Sequence, residues 1–300
     1  MKEFTEGAFA KVNLTLDVLD KREDGYHNLR SIMQTVSLHD DVHVTVGCEG
    51  WQVHCYREIL SPDAAETTEP ELCTRGLPQD RDNLVWKAAE AFYARTGKTP
   101  EGLEIFINKR IPLEAGLGGG SSDAAAVLRA LRTLYAPQMI DGQLEEMAAR
   151  LGSDVPFFIR GGTALATGRG EKLEALPKMP QCWLVIVKPE ESHSTAAMYA
   201  AIDSAPQRVS GDSRAVREGL EKGDLSAVAA GLGNDFQQVL PEDSAVPAIV
   251  EALRQRGALN AQMTGSGSAV FGIFACRAGA EAAAEALKAT YPRTFCVEQV

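Results

Sequence analysis

The sequence has no CxxC pair, no HExxH pair, and no apolar run near the about 18 residues that a membrane-spanning helix needs. These gaps exclude the common zinc ribbons, helix-borne zinc proteases and transmembrane helices. The six cysteines, Cys48, Cys55, Cys73, Cys182, Cys276 and Cys296, are too sparse for a disulfide scaffold and suit reduced thiols. The opening MKEFTEGAFAKVNL has no apolar core of signal-peptide length, so a cytoplasmic protein without a membrane partner is expected. Positive charge is also in deficit: Lys and Arg number 30 against 41 Asp and Glu, a formal net charge of −11. No nucleic acid partner is expected, because phosphate backbones call for clustered Lys and Arg. A small anionic ligand needs only local positive charge and stays open.

The chain has 300 residues and 45% apolar content, enough for two medium domains or one large one. Residues 8–18, AFAKVNLTLDV, alternate. Val12, Leu14, Leu16 and Val18 share one face, and Lys11, Asn13, Thr15 and Asp17 share the other. This predicts a half-buried strand. The turn dipeptide Asp24-Gly25 then sets Tyr26 and His27 at the start of a second extended run over 29–38. Further strands are predicted over 42–55, 103–107, 183–187, 259–264 and 269–275. Helical spacing covers 83–93, 121–135, 143–151, 195–202, 213–231 and 280–290, with Gly279 breaking the pattern before the last. Residues 58–82, acidic and holding Pro62, Pro70 and Pro78, predict a surface excursion. Early hairpins with interleaved helices predict an α+β class rather than a doubly wound sheet. Two domains are expected, 1–163 and 164–300, divided where Gly161-Gly162 interrupts the pattern.

Residues 112–126 read PLEAGLGGGSSDAAA. Gly116 and Gly118 fit the first two positions of the dinucleotide fingerprint G-x-G-x-x-G, but Ser121 holds the third. No lysine lies between Ala115 and Leu128, so a Walker A loop fails too. Two readings remain. The stretch is a phosphate cradle, with free backbone N–H groups and a helix N-terminus behind it. Or it is a flexible connector whose serine caps the helix. A second glycine–serine cluster, MTGSGS at 263–268, is either a turn between strands or a second wall of one anion site.

Phosphoryl transfer needs positioned phosphates, positive charge and a group that accepts the incoming hydroxyl proton. Lys11 and Asn13 point to one side of the first strand and are candidates, with simple solvation as the alternative. Asp154, in LGSDVPFF, is either a turn or capping carboxylate or a base. Val155, Phe157, Phe158 and Ile159 would give it a dry setting, which raises a carboxyl pKa. His27 is free to stack, to donate, or to be satisfied by backbone.

In order along the chain, AKVNLTLDV, PLEAGLGGGSSDAA and MTGSGSAVFG resemble the GHMP kinases, the family of galactokinase, homoserine kinase and mevalonate kinase. The resemblance implies a ribosomal-S5-like N-terminal α+β domain, a ferredoxin-like C-terminal domain with the active site between them, and ATP with Mg2+. KVNL followed by DGYHNL, together with GLGGGSSDAA and GSDVPFF, narrows it to members acting on a small molecule with a cytidine diphosphate group, in non-mevalonate isoprenoid biosynthesis. It implies Asp154 as the base with Lys11 beside it, and Asn83 near the adenosine. Pro112, Leu113, Glu114, Ala115, Gly116, Leu117, Gly118, Gly119, Gly120, Ser121 and Ser122 would wrap the ATP phosphates, with Ser122 as the candidate Mg2+ ligand. Asn13, Tyr26, His27, Thr195 and Tyr199 would meet the substrate. Tyr26 and Tyr199 would sandwich the cytosine, and His27 would read its edge. Gly265, Ser266 and Gly267 would approach phosphate or the alcohol end. Another GHMP small-alcohol kinase and a non-catalytic GHMP-fold sensor are the alternatives. DGYH argues against the first, and the retained Lys11 and Asp154 against the second. Monomer and homodimer are both open.

Overall fold

Two strands are far longer than their alternation suggested. In the computed structural model, which describes residues 1–57, 71–72, 78, 80–98, 102–205 and 211–300, β1 spans Lys2–Lys21 and β2 spans His27–Val46. Residues 42–46 therefore continue β2, and a separate β3 (Trp51–Arg57) follows. Gly47, with φ +84°, is the first residue to break the extended backbone. Most of the predicted excursion at 58–82 lies outside the described residues, though Glu71–Leu72 forms β4 against Tyr56 and Arg57. Cys73 also lies outside them, and Cys48, Cys55, Cys182, Cys276 and Cys296 are free thiols.

The chain forms two compact units, and each draws on three segments because β1 and β2 run through both. One unit holds Met1–Phe9, His39–Ile111 and Gly119–Arg160. Its sheet sets β5 (Leu103–Lys109) between β3, parallel, and the end of β2, antiparallel, with Ile105 opposite Val53 and Val44. Helices α1 (Leu84–Thr96), α2 (Gly119–Tyr135), α3 (Asp141–Leu151) and the short α4 (Phe157–Arg160) pack on one another. Asn83 starts α1 by accepting from the Val85 N–H, and Gly97, left-handed at φ 65°, ends it. α2 begins two residues ahead of the predicted start, so the glycine run enters the helix. Ala124, Val127, Leu128 and Leu131 form its buried stripe.

The other unit holds Ala10–Leu38, Pro112–Gly118 and Gly161–Val300. Here β1 departs from expectation. Every residue from Ala10 to Val18 is buried, so its polar face is interior as well. The hairpin β6 (Thr163–Gly168) and β7 (Lys172–Ala175) follows and pairs with β2. Next come β8 (Trp183–Val187), α5 (Thr195–Ser204), α6 (Ser213–Lys222), α7 (Leu225–Ala230), β9 (Gly233–Asn234) and α8 (Val246–Gln255). The chain ends with β10 (Asn260–Met263), β11 (Val270–Phe274), α9 (Arg277–Lys288) and β12 (Thr294–Glu298). Four strands form an antiparallel sheet in the order β10-β11-β8-β12. Val185, Val187, Ile249, Leu253, Val270, Phe274, Ala284 and Leu287 build its core with Leu16 and Val18 of β1. The helix predicted over 213–231 is two, because Gly223 turns left-handed and Asp224 caps anew. Gly279 does not break α9. It lies inside the helix, where one glycine costs only about 1 kcal/mol against alanine.

Candidate functional site

Asn13 is the junction of the second unit. Its side-chain oxygen accepts from Lys11 Nζ at 2.7 Å, from the Gly265 N–H at 3.0 Å and from the Thr264 hydroxyl at 3.1 Å. Its amide nitrogen donates to Ser31 Oγ at 2.8 Å. The i, i+2 spacing on β1 keeps Lys11 and Asn13 on one face as the alternation predicted, and there the two side chains meet. Both are buried, so Lys11 is not a solvated surface lysine. The MTGSGS turn is held from several sides. Gln262 Nε2 donates to the Asn13 and Leu14 carbonyls, and Asn234 Nδ2 donates to the Met263 and Gly265 carbonyls. Thr264, Asn234 and Ser31 were missed in the sequence, although Thr264 lies inside the quoted motif.

The glycines of the two loops have different tasks. Gly116 (φ +74°) lies against the second loop so closely that a Cβ there would fall 2.1 Å from the Thr264 carbonyl oxygen. Gly265 would in turn strike Gly116. Leu117 O accepts from the Lys11 N–H, and Ala115 O from the Ala269 N–H. So the segment Pro112–Gly118 and the MTGSGS turn form one backbone-to-backbone wall beside Lys11. Pro112 and Leu113 are half-buried, Glu114 is exposed and left-handed (φ 51°), and Gly118 also turns left-handed. In the first unit, a Cβ on Gly119 would press on Ile111 and on Lys109 Nζ, whereas at Gly120 it would meet nothing within 4 Å. Gly120 thus leaves open space at the start of a 17-residue helix, whose first N–H groups have no partner in the helix.

A second group gathers around His27. Its Nε2–H donates to Asp203 Oδ1 at 2.7 Å, and Tyr199 stacks on its ring at 5.1 Å and 15°. Tyr199 meets Phe236 edge-on. Tyr26 is 57% exposed, and the ring stacked with Tyr199 is His27 rather than Tyr26. Lys21 also binds Asp203, and these two contacts hold the Asp203 carboxyl below the usual carboxylate range. Asp203 was missed, yet it lies four residues after Tyr199, one helical turn away on the same face. Thr195 Oγ1 lies 2.9 Å from Ser266 Oγ, so α5 touches the MTGSGS turn. The same turn is tied to 188–192: the Ser268 hydroxyl and Lys188 Nζ both donate to the Glu191 carbonyl. Burial pulls the Lys188 amine below its ordinary pKa.

Asp154, half-buried, sits in the turn between α3 and α4, flanked by the buried Val155, Phe157 and Phe158. Asn83 is committed to its cap and to the Pro78 carbonyl, 2.6 Å from Nδ2. Ser122 does not fit a metal ligand. Its hydroxyl is 1% exposed and donates to the Phe9 carbonyl at 2.6 Å. Among the described residues no three His, Cys, Asp or Glu gather as a metal site.

Known proteins are similar to this chain in sequence and in fold. The sequence profiles described as "GHMP kinases N terminal domain" and "GHMP kinases C terminal" match residues 83–162 and 216–293. The chain is 41% identical over 98% of both chains to 4-diphosphocytidyl-2-C-methyl-D-erythritol kinase from Moorella thermoacetica. Its counterpart from Pelotomaculum thermopropionicum is 43% identical over 89% of this chain and 88% of that one. A crystal structure of 4-(cytidine 5'-diphospho)-2C-methyl-D-erythritol kinase superposes with a TM-score of 0.78 at 33% identity, covering 99% of each chain. Homoserine kinase from Cytophaga hutchinsonii, at 17% identity and a TM-score of 0.74, shares the fold. The chain belongs to the GHMP kinases and, within them, to the family of 4-diphosphocytidyl-2-C-methyl-D-erythritol kinases.

Proposed function

We propose that this kinase transfers the γ-phosphoryl group of ATP to the 2-hydroxyl of 4-diphosphocytidyl-2-C-methyl-D-erythritol. ADP and the 2-phosphate are the products, in the non-mevalonate route to isoprenoid precursors. Residues 1–163 take the nucleotide-binding role and 164–300 complete the substrate site. The observation that carries the reading is the His27 group. An imidazole whose Nε2–H is given to Asp203 leaves Nδ1, in the neutral form, as an acceptor. Cytosine offers an exocyclic amine to such an acceptor, and the exposed Tyr26 ring beside it offers a stacking face.

Lys11, fixed by Asn13, supplies positive charge where the phosphoryl group is received, and Asp154 takes the proton of the attacking hydroxyl. The open backbone at Gly120 and the N-terminus of α2 receive the ATP phosphates. A kinase reaction of this class implies Mg2+, which would supply charge neutralisation at the ATP phosphates; none of the described residues is assigned as its ligand, and no step here depends on one. An ADP-release assay against homoserine, mevalonate and the diphosphocytidyl alcohol tests the reading. Turnover with the diphosphocytidyl alcohol at the level of the other two, or below it, rejects the substrate.

A further inference from the structure

We propose that Arg169 binds the diphosphate of the cytidylyl substrate and so sets the preference for a nucleoside diphosphate over a monophosphate. The inference rests on the cytidine reading of the His27 group and names one more residue of that site. Arg169 occupies the turn between β6 and β7, where Gly168 (φ +71°) and Gly170 (φ +112°) reverse the chain. Strand register places Gly168 opposite Leu29, so the turn lies beside the start of β2, next to Tyr26 and His27. The Glu171 carboxylate accepts the Arg169 backbone N–H at 2.6 Å and fixes the turn. The guanidinium carbon then sits 5.1 Å from the centre of the exposed Tyr26 ring.

The charges nearby explain why this cation matters. Lys21 is paired with Asp203 at 2.5 Å, Arg22 with Asp24 at 3.1 Å, and Arg30 with the buried Asp17 at 2.9 Å. Each of these positive groups already has an anion. The Arg169 guanidinium makes no direct ion pair or side-chain hydrogen bond among the described residues; it lies over the Tyr26 ring and close enough to Asp24 to help Arg22 hold that carboxyl low. Asp20, Asp24, Glu171 and Asp203 leave the surroundings short of positive charge, so an arriving diphosphate would meet repulsion unless a cation outside a direct ion pair, as Arg169 is, faced it. Stacking on Tyr26 holds the planar fork in one orientation, and such a fork binds two phosphate oxygens at once. The guanidinium covers one face of Tyr26, so a base stacked on the opposite face would carry its 5′-phosphates round the rim of the ring and within reach of Arg169.

The test is calorimetric titration of CMP and CDP into the full chain and into R169Q and R169K, with melting temperatures to confirm folding. The wild type is expected to bind CDP more tightly than CMP. In R169Q, CDP affinity should fall about tenfold while CMP stays within about twofold, with R169K between. Equal weakening of CMP and CDP in R169Q would mean that Arg169 only props Tyr26, and overturns the proposal. Unchanged affinities overturn it as well. If the wild type binds neither nucleotide at millimolar concentration, the cytidine reading itself fails before any variant is compared, and the proposal falls with it.

Discussion

Lys109 donates from Nζ to Asp123 at 2.7 Å, and neither side chain reaches solvent. The same ammonium meets Asp40 at 2.5 Å, and the other Asp40 oxygen accepts the backbone N–H groups of Arg110 and Ile111. Asp40 thus anchors the strand leading into the glycine loop, while Asp123 sits on the helix leaving it, and one lysine ties the two stems together. The ammonium serves two carboxylates, and Asp123 Oδ1 has no hydrogen-bond partner.

That imbalance should appear in the pH dependence of stability. Burial is the largest cause that pushes the Asp123 carboxyl up to about 7, from 3.8. The folded chain therefore keeps a proton that the unfolded chain releases. Stability from this group is complete below about pH 4 and falls as the pH rises toward about 7. D123N lacks the titration but keeps an acceptor for Lys109. Measured by urea midpoint, the advantage of wild type over D123N should shrink from pH 4 to pH 7 and then level off. Parallel profiles would rule the shift out.

Gly116 and Gly120 should separate by what an added methyl does. G116A forces a left-handed backbone on alanine and drives its Cβ into the Thr264 carbonyl, so a loss of about 2 kcal/mol or more is expected. G120A meets no atom, sits in a helix, and should keep or slightly raise the melting temperature. On the phosphate-cradle reading, G120A instead weakens ADP binding, because the methyl fills the space left for phosphate. Equal ADP affinity in G120A and wild type would remove Gly120 from the site.

Much of this was legible in the chain. The spacing of Lys11 and Asn13 put them on one face of β1, and the helices at 84–96, 119–135 and 141–151 followed their apolar periods. What alternation could not reveal is that the polar face of β1 is buried too. Period two separates faces, but it does not say whether the second face meets water or a neighbour such as Ser31 and Thr264. The β6–β7 hairpin hid in TALATG, a run too small and polar to read as a strand. Lys109 and Asp40 carry no motif, and Asp123, though inside the quoted glycine–serine stretch, has no spacing that points to them, so only the folded chain joins the three. Asp203 could have been found from its one-turn spacing after Tyr199.

The His27–Asp203 bond makes a prediction about base selection. D203A frees the imidazole from its orienting partner, so CMP should weaken while ADP binding holds. In wild type, uracil presents a carbonyl where cytosine presents an amine, and a neutral Nδ1 cannot donate to it. CMP should therefore bind about tenfold or more tighter than UMP, a difference that narrows in D203A. Competition of both nucleotides against the alcohol substrate measures it. Equal inhibition by CMP and UMP in wild type excludes His27 as the reader.

Asp154 carries the strictest test of mechanism. Its turn fixes the backbone through the Val155 N–H to Gly152 carbonyl bond, and three buried aromatic and aliphatic neighbours hold the segment in place. D154N keeps the size of the side chain and removes its ability to take a proton. Turnover should drop by about 10²–10⁴, the usual contribution of a general base, while ADP affinity and melting temperature stay near wild type. K11M should lower turnover too, but through lost charge beside the transferred group, and it should also destabilise the fold by removing one of the three donors to the buried Asn13 side-chain oxygen. The two variants thus differ in stability as well as rate. Near-normal turnover in D154N would transfer the role of base to another group and leave Asp154 as a turn carboxylate.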